Sequence, residues 1–289
     1  MELEMEKEGP KSAKPVRNKL YQPEVALGFF KTYGKPESIA AGKVIFAENE
    51  GAANVFAAGS KMYLLVDGEV DLSINKKVIG AVGKGEVFGE MASITHLPRS
   101  ATATARTAST VMAMDEKQFQ GAIAKSPEFA LMLMNIIISR LRETASVLTA
   151  GGTLTEKSQW NRAAIFDRKL LADLQKEMED KPPALHHLNK VIMKEGDKGV
   201  FMYVVMEGVV AVTIQERPVE KIGPGGIVGE MALVDQSPRI ATATAETDCS
   251  LLAINRNDFM DLVRGKPAFA MGLLKALSER LRFMNSKYN

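Results

Sequence analysis

The sequence predicts a mainly β protein: two antiparallel β-rolls, jelly-roll-like, each closed by a C-terminal helix. Three observations carry this expectation. First, residues 86–105 (EVFGEMASITHLPRSATATA) and 226–245 (GIVGEMALVDQSPRIATATA) repeat one pattern at an offset of 140 residues, too long for a solenoid unit and right for a duplicated domain. Second, short β-rich runs separated by glycine fill the region before each repeat, as in a sandwich or roll. Third, each copy ends in a proline-led apolar stripe at helical spacing.

Taken in order, residues 1–19 hold an acidic cluster, a basic cluster and few large apolar side chains, which predicts a flexible tail. Strands are expected at Val44 to Phe46, Met62 to Val66, Val70 to Ile74, Val78 to Val82 and within Ala101 to Met114. A helix follows. Ser126 is placed to cap it, Pro127 fits its first turn, and Phe129, Leu133, Ile136, Ile137, Arg140, Leu141 and Thr144 share a face up to Gly151 and Gly152. Ser158 to Glu179, with Trp160, Ile165, Leu170, Leu171, Leu174 and Met178, reads as a helix that opens the second domain and stops before Lys181 to Pro183. The second copy then repeats the plan, ending on Pro267, Phe269, Leu273, Leu277, Leu281 and Met284. The domains are therefore expected at 20–152 and 153–289.

The register runs without a gap from Met62 and Met202 to Arg142 and Arg282. Upstream it resumes only with extra residues in the first copy: Gly51 stands 17 residues before Gly68, whereas Gly196 stands 12 before Gly208. This alignment matches Glu50-Gly51 with Glu195-Gly196 and places the insertion in the Ala-rich stretch Ala52 to Gly59, read as a lengthened strand connection.

An apolar fraction of 46% with 25% charged residues describes a globular chain. Its 37 basic and 35 acidic residues leave a net charge of +2, so there is no overall field to hold a nucleic-acid backbone. The single cysteine, Cys249, lies in an apolar run and reads as a buried strand residue in a reducing compartment. The N-terminal residues lack the apolar core of a secretory signal, and the longest apolar run, near Phe129 to Ile138, is too short for a bilayer. A cytoplasmic protein without a membrane association is expected.

The chemistry lies in the repeat. Gly89 and Gly229 permit a sharp turn, and the residues after them can begin a helical turn whose backbone N–H groups attract an anion. Nine residues after Glu90 and Glu230 come Arg99 and Arg239, each able to grip phosphate oxygens with a forked, charge-assisted contact. A carboxylate beside a phosphate is repelled unless the same ligand also donates to it, and a ribose hydroxyl would do so. One arginine per site and no lysine-bearing phosphate loop argue against a triphosphate.

FGEMASITHLPRSATATA and VGEMALVDQSPRIATATA resemble the phosphate-binding cassette of the cyclic nucleotide-binding domain, shared by kinase regulatory subunits, gated channels and the catabolite activator family. The resemblance covers residues from about Pro23 to Tyr288. It implies that Glu90 and Glu230 hold the ribose 2′-hydroxyl and that Arg99 and Arg239 hold the cyclic phosphate. Backbone N–H groups at Ala92 with Ser100, and at Ala232 with Ile240, would complete each cradle, in which Gly89, Met91, Gly229 and Met231 also take part. Cyclic AMP is the ligand implied at both sites. Ser100, where the second copy has Ile240, also admits cyclic GMP at the first, because a hydroxyl there can reach a guanine amino group. Family practice caps the base from the C-terminal helix or a neighbouring domain, with Met284, Phe283 and Tyr288 as candidates for the second site and Thr144, Val147 and Trp160 for the first.

No Gly-x-Ser-x-Gly nucleophile motif or spaced triad stands out, and adjacent His186 and His187 would point oppositely on a strand, so neither catalysis nor a metal site is expected. The reading is of a sensor that passes occupancy through its C-terminal helices to a protein effector or to a second copy of itself. Two alternatives remain: a catabolite-activator-like transcription regulator without its own DNA-binding head, and a structural dimerisation module.

Overall fold

The computed structural model describes residues 23–51, 60–151, 160–162 and 164–287. The expected tail at 1–19, the connection Ala52 to Gly59 and Tyr288 lie outside the described residues. The chain divides into two compact units, whose main stretches are Ala26–Phe119 and Gln120–Asn289.

After helix α1 (Pro23–Tyr33), the first unit runs β1 (Lys35–Ile39), β2 (Val44–Phe46), β3 (Met62–Asp67), β4 (Val70–Ile74), β5 (Lys77–Val82) and β6 (Val87–Phe88). The short helix α2 (Glu90–Thr95), β7 (Thr102–Ala105), β8 (Ser109–Met114) and α3 (Glu116–Ile123) complete the series. Two four-stranded antiparallel sheets, β1-β8-β3-β6 and β2-β7-β4-β5, build the roll. Alternate strand residues point inward, and Phe46, Tyr63, Leu65, Val70, Phe88 and Val111 fill the space between. Phe46, Tyr63 and Phe88 stack on one another at centroid distances of 5.2–6.1 Å.

The second unit begins with the 24-residue helix α4 (Pro127–Ala150). Then follow β9 (Trp160–Arg162), α5 (Arg168–Glu177), β10 (Ala184–His186), β11 (Val191–Met193), β12 (Phe201–Glu207), β13 (Val210–Ile214), β14 (Arg217–Ile222) and β15 (Ile227–Val228). Last come α6 (Glu230–Asp235), β16 (Thr242–Ala245), β17 (Cys249–Asn255), α7 (Arg256–Gly265) and α8 (Pro267–Asn285). Its sheets are β10-β17-β12-β15 and β11-β16-β13-β14-β9, and the apolar stripe of α4 packs along α8. Cys249 is buried at the start of β17.

The strands expected from the sequence are present, and the run Ala101 to Met114 divides into β7 and β8 around an exposed turn. Three expectations need correction. Trp160–Arg162 is a strand paired in parallel with β14, with Trp160 opposite Glu220. The helix beyond it starts only after Asp167, whose side chain accepts from the Leu170 N–H at 2.8 Å. The helical spacing from Ile165 onward carried the expectation too far upstream. Ser126 precedes α4 but makes no side-chain cap; the Phe129 N–H instead bonds the Ser126 carbonyl.

The third concerns register. Upstream of the insertion the structural offset is 147 residues, not the 145 given by matching Glu-Gly with Glu-Gly. The Glu48 N–H donates to Thr102 Oγ1 as that of Glu195 does to Thr242, and the Glu50 and Asp197 carbonyls accept from the N–H groups of Arg99 and Arg239. Asn49 (φ 62°) therefore corresponds to Gly196 (φ 86°). Both residue types tolerate the left-handed conformation, so a shared turn position is hidden behind different letters. Glu48 and Glu195 also accept from Asn75 and Gln215 N–H, anchoring two-residue hairpin turns with both central residues at positive φ.

No single helix among the described residues is long and apolar enough to cross a membrane. Phe88→Ala, which empties the centre of the first aromatic stack, is expected to lower stability by about 3–5 kcal/mol, measured by urea denaturation.

Candidate functional site

Each cassette is built around a glycine that only glycine fills well. Gly89 (φ 72°, ψ 5°) and Gly229 (φ 85°, ψ 3°) turn the chain from β6 into α2 and from β15 into α6. A Cβ on Gly89 would meet Arg99 Nη1 at 2.9 Å, and one on Gly229 would meet Arg239 Nη1 at 2.6 Å. The turn and the arginine are thus fitted to each other.

Both guanidiniums are held in the same way. Arg99 donates from Nη1 to the Gly89 carbonyl and from Nη2 to the Lys61 carbonyl, each at 2.7 Å. Arg239 donates from Nη1 to the Gly229 carbonyl at 2.6 Å and from Nη2 to the Phe201 carbonyl. Arg99 also lies 4.1 Å from the centre of the Phe46 ring, a cation–π contact. Burial pushes both guanidiniums below their usual range; Tyr63, Glu50 and Glu90 oppose the shift at Arg99, and Tyr203, Glu230 and Asp197 oppose it at Arg239. Arginine keeps its charge even so, and the result is a fixed, sparsely hydrated cation at the mouth of each turn.

Glu90 and Glu230 open their helices and are 1% exposed. Met91 and Ala92, like Met231 and Ala232, are buried behind them. Ser100 Oγ donates weakly to Met91 Sδ at 3.6 Å, so the hydroxyl that distinguishes the first copy from Ile240 lies inside its cassette.

In the second copy the residues named from the sequence meet in one place. Gly229, Glu230, Met231, Ala232, Arg239 and Ile240 all line a single cleft of about 720 Å³, part of it open to solvent. The walls are largely apolar, from Val212, Ile214 and Val219 on the roll and Phe283 and Met284 on α8. A buried guanidinium, a carboxylate and an apolar wall on one cleft can hold a molecule that combines an anionic group, a hydroxyl and a flat apolar part.

The profile of the cyclic nucleotide-binding domain matches residues 36–126 and again residues 187–266, together more than half of the chain. The chain belongs to this family. A cGMP-dependent protein kinase of Toxoplasma gondii is 28% identical over 209 residues, which are 72% of this chain and 19% of the kinase. The cyclic AMP receptor protein of Thermus thermophilus is 39% identical over 103 residues, 34% of this chain and 48% of the receptor. The chain therefore spans about a fifth of one curated relative and about half of the other. Among solved structures, the regulatory domain of Toxoplasma gondii PKA with cAMP aligns at 21% identity over 84% of this chain and 87% of that one, with a TM-score of 0.32.

The second cyclic nucleotide-binding domain contains groups that sequence reasoning missed. Arg280 of α8 donates from Nη1 to Glu230 Oε1 and from Nε to Glu220 Oε2, the latter at 2.9 Å. Only 16% of the Arg280 side chain is exposed, with 5% of Glu220 and 1% of Glu230. Burial works against the charge of Arg280, but Glu220 and Glu230 outweigh it and hold the guanidinium above its usual range. A signal existed: Arg140 answers Arg280 at the repeat offset, a charged residue kept in an apolar stripe. For Glu220 there was none, since the first copy has Gly80.

Trp160, expected from the sequence at the first site, lines the second cleft and stacks on Phe283 at 5.2 Å and 11°. The reason is β9: pairing with β14 carries the ring to the cleft wall. Removing Arg280 by Arg280→Ala leaves Glu220 and Glu230 facing each other in a buried space, and should cost about 3–5 kcal/mol of stability, measured by chemical denaturation beside Arg239→Ala.

Proposed function

We propose that this chain is a cyclic-nucleotide sensor with two binding sites, taking cyclic AMP at both and accepting cyclic GMP at the first. It is a binding protein, not an enzyme, and acts in the cytoplasm on a protein effector, or on a second copy, through its C-terminal helices. The observation that carries this reading is the meeting of Gly229, Glu230, Ala232 and Arg239 on one cleft, with the same turn and arginine geometry at Gly89 and Arg99.

In the second site the cyclic phosphate lies against Arg239 and the N–H groups at the start of α6. The two carbonyls occupy only part of the guanidinium's donor set, and the remaining N–H groups serve the phosphate. Glu230 uses one oxygen for Arg280 and has a second for the ribose 2′-hydroxyl. The stacked pair Trp160 and Phe283, with Met284, forms the apolar wall for the base. A ribose bonded to Glu230 competes with or reorients the contact that ties α8 to the cassette. That difference between liganded and unliganded contacts is what a ligand needs to shift a helix equilibrium.

The relatives support the ligand class without dividing it, one being named for cGMP and the other for cyclic AMP. Calorimetry of the intact chain should resolve two cyclic AMP sites. Arg99→Ala and Arg239→Ala should each weaken one of them by roughly 30-fold to a few thousandfold, the effect of removing one member of a desolvated charged contact. Unchanged stoichiometry and affinity in both variants would overturn the assignment. The hydroxyl difference gives a second expectation: Ile240→Ser should raise the affinity of the second site for cyclic GMP relative to cyclic AMP, and Ser100→Ala should lower that ratio at the first, both read by competition titration.

A further inference from the structure

The second cassette differs from the first at the end of its short helix. In the first, Thr95 closes the turn on itself: its hydroxyl donates to the Met91 carbonyl at 2.7 Å and accepts from the Leu97 N–H at 3.3 Å. At the repeat-equivalent position the second has Asp235, whose Oδ1 accepts from the Ser237 N–H at 3.0 Å. Its side chain is only 5% exposed, so a carboxylate stands where the first copy needs no charge at all.

The cation that answers it comes from α4. Arg142 grips Asp235 with two donors, Nε to Oδ2 at 2.5 Å and Nη2 to Oδ1 at 3.1 Å. Its remaining nitrogen, Nη1, donates to the Pro238 carbonyl at 3.0 Å. Pro238 is the residue immediately before Arg239. One guanidinium thus holds both limbs of the cassette: the end of the helix whose start faces the cleft, and the loop that presents Arg239. Leu141 and Ala145, one turn apart on the same face of α4, line the cleft with Arg142, and both are 3% exposed.

We infer that α4, the helix that follows the first roll in the chain, is a working part of the second nucleotide site, with Arg142 as its positioning residue. This rests on the function proposed above. The second cassette is held in binding geometry by a helix outside its own repeat, whereas the corresponding turn of the first is tied by its own threonine. Because coupling in binding is reciprocal, nucleotide at the second site fastens α4, and displacement of α4 loosens nucleotide there. Occupancy of the second site is thereby reported to the stretch of chain that leaves the first roll.

The test uses the intact chain and cyclic AMP. Arg142→Ala and Asp235→Ala should each weaken the second site by about tenfold or more, and the loss in the double variant should fall well short of the sum of the two, as expected for two residues sharing one interaction. The exchanged pair Arg142→Asp with Asp235→Arg should recover part of the loss. First-site affinity should stay within about twofold of the parent, with Arg239→Ala marking which calorimetric step is the second site. An Arg142→Ala protein with lowered thermal stability but unchanged second-site affinity would reduce Arg142 to a structural role and overturn the inference, as would additive losses in the double variant. If the parent chain bound no cyclic nucleotide, the proposed function itself would fail, a result separate from either of these.

Discussion

Everything in the two cassettes depends on one buried contact, the guanidinium that reaches back to the carbonyl of the glycine beginning the turn. It requires a positive φ at Gly89 and Gly229 and space where a Cβ would stand. It also ties the turn to a second strand, because the other carbonyl on each guanidinium comes from Lys61, just before β3, or from Phe201, the first residue of β12. A desolvated cation needs such partners to be tolerable in the fold, and while they hold it, its positive charge stays in a fixed position. The rest of each roll is scaffolding for that arrangement.

The two copies share this contact and differ around it. Glu220 and Arg280 build a buried charge cluster beside Glu230, and Asp235 recruits Arg142, while the first copy has Gly80 and Thr95 at the matching places. Duplication preserved the turn glycine and the arginine bonded to it and let the supports diverge. That pattern suits a chain whose sites share one ligand class but differ in how tightly each is wired to a helix.

Much of this was legible in the letters. The cassette turns, the two rolls and the two proline-led helices follow from spacing and patterning, because a turn glycine, an apolar alternation and a proline-led stripe are local signals. What stayed hidden was non-local. Trp160 reads as helical because apolar residues downstream have that spacing, yet strand pairing with β14 decides its state. Arg142 and Asp235 are 93 residues apart in the chain, and no local signal joins them. The upstream register was misread for a different reason: Asn49 and Gly196 do the same backbone work, so identity of letters pointed to the wrong alignment by two positions.

The parallel strand β9 bears on how the second roll can be handled. Trp160–Arg162 belongs to the segment leading from α4, yet it forms the outermost member of a five-stranded sheet. A fragment cut just before α5 would strip that sheet of its border, leave the unsatisfied backbone of β14 as an adhesive edge, and take one ring of the aromatic wall with it. What reads as helix is structural hem, and the natural place to part the halves lies further upstream, before α4, where the chain passes from one compact unit to the other at Phe119 and Gln120.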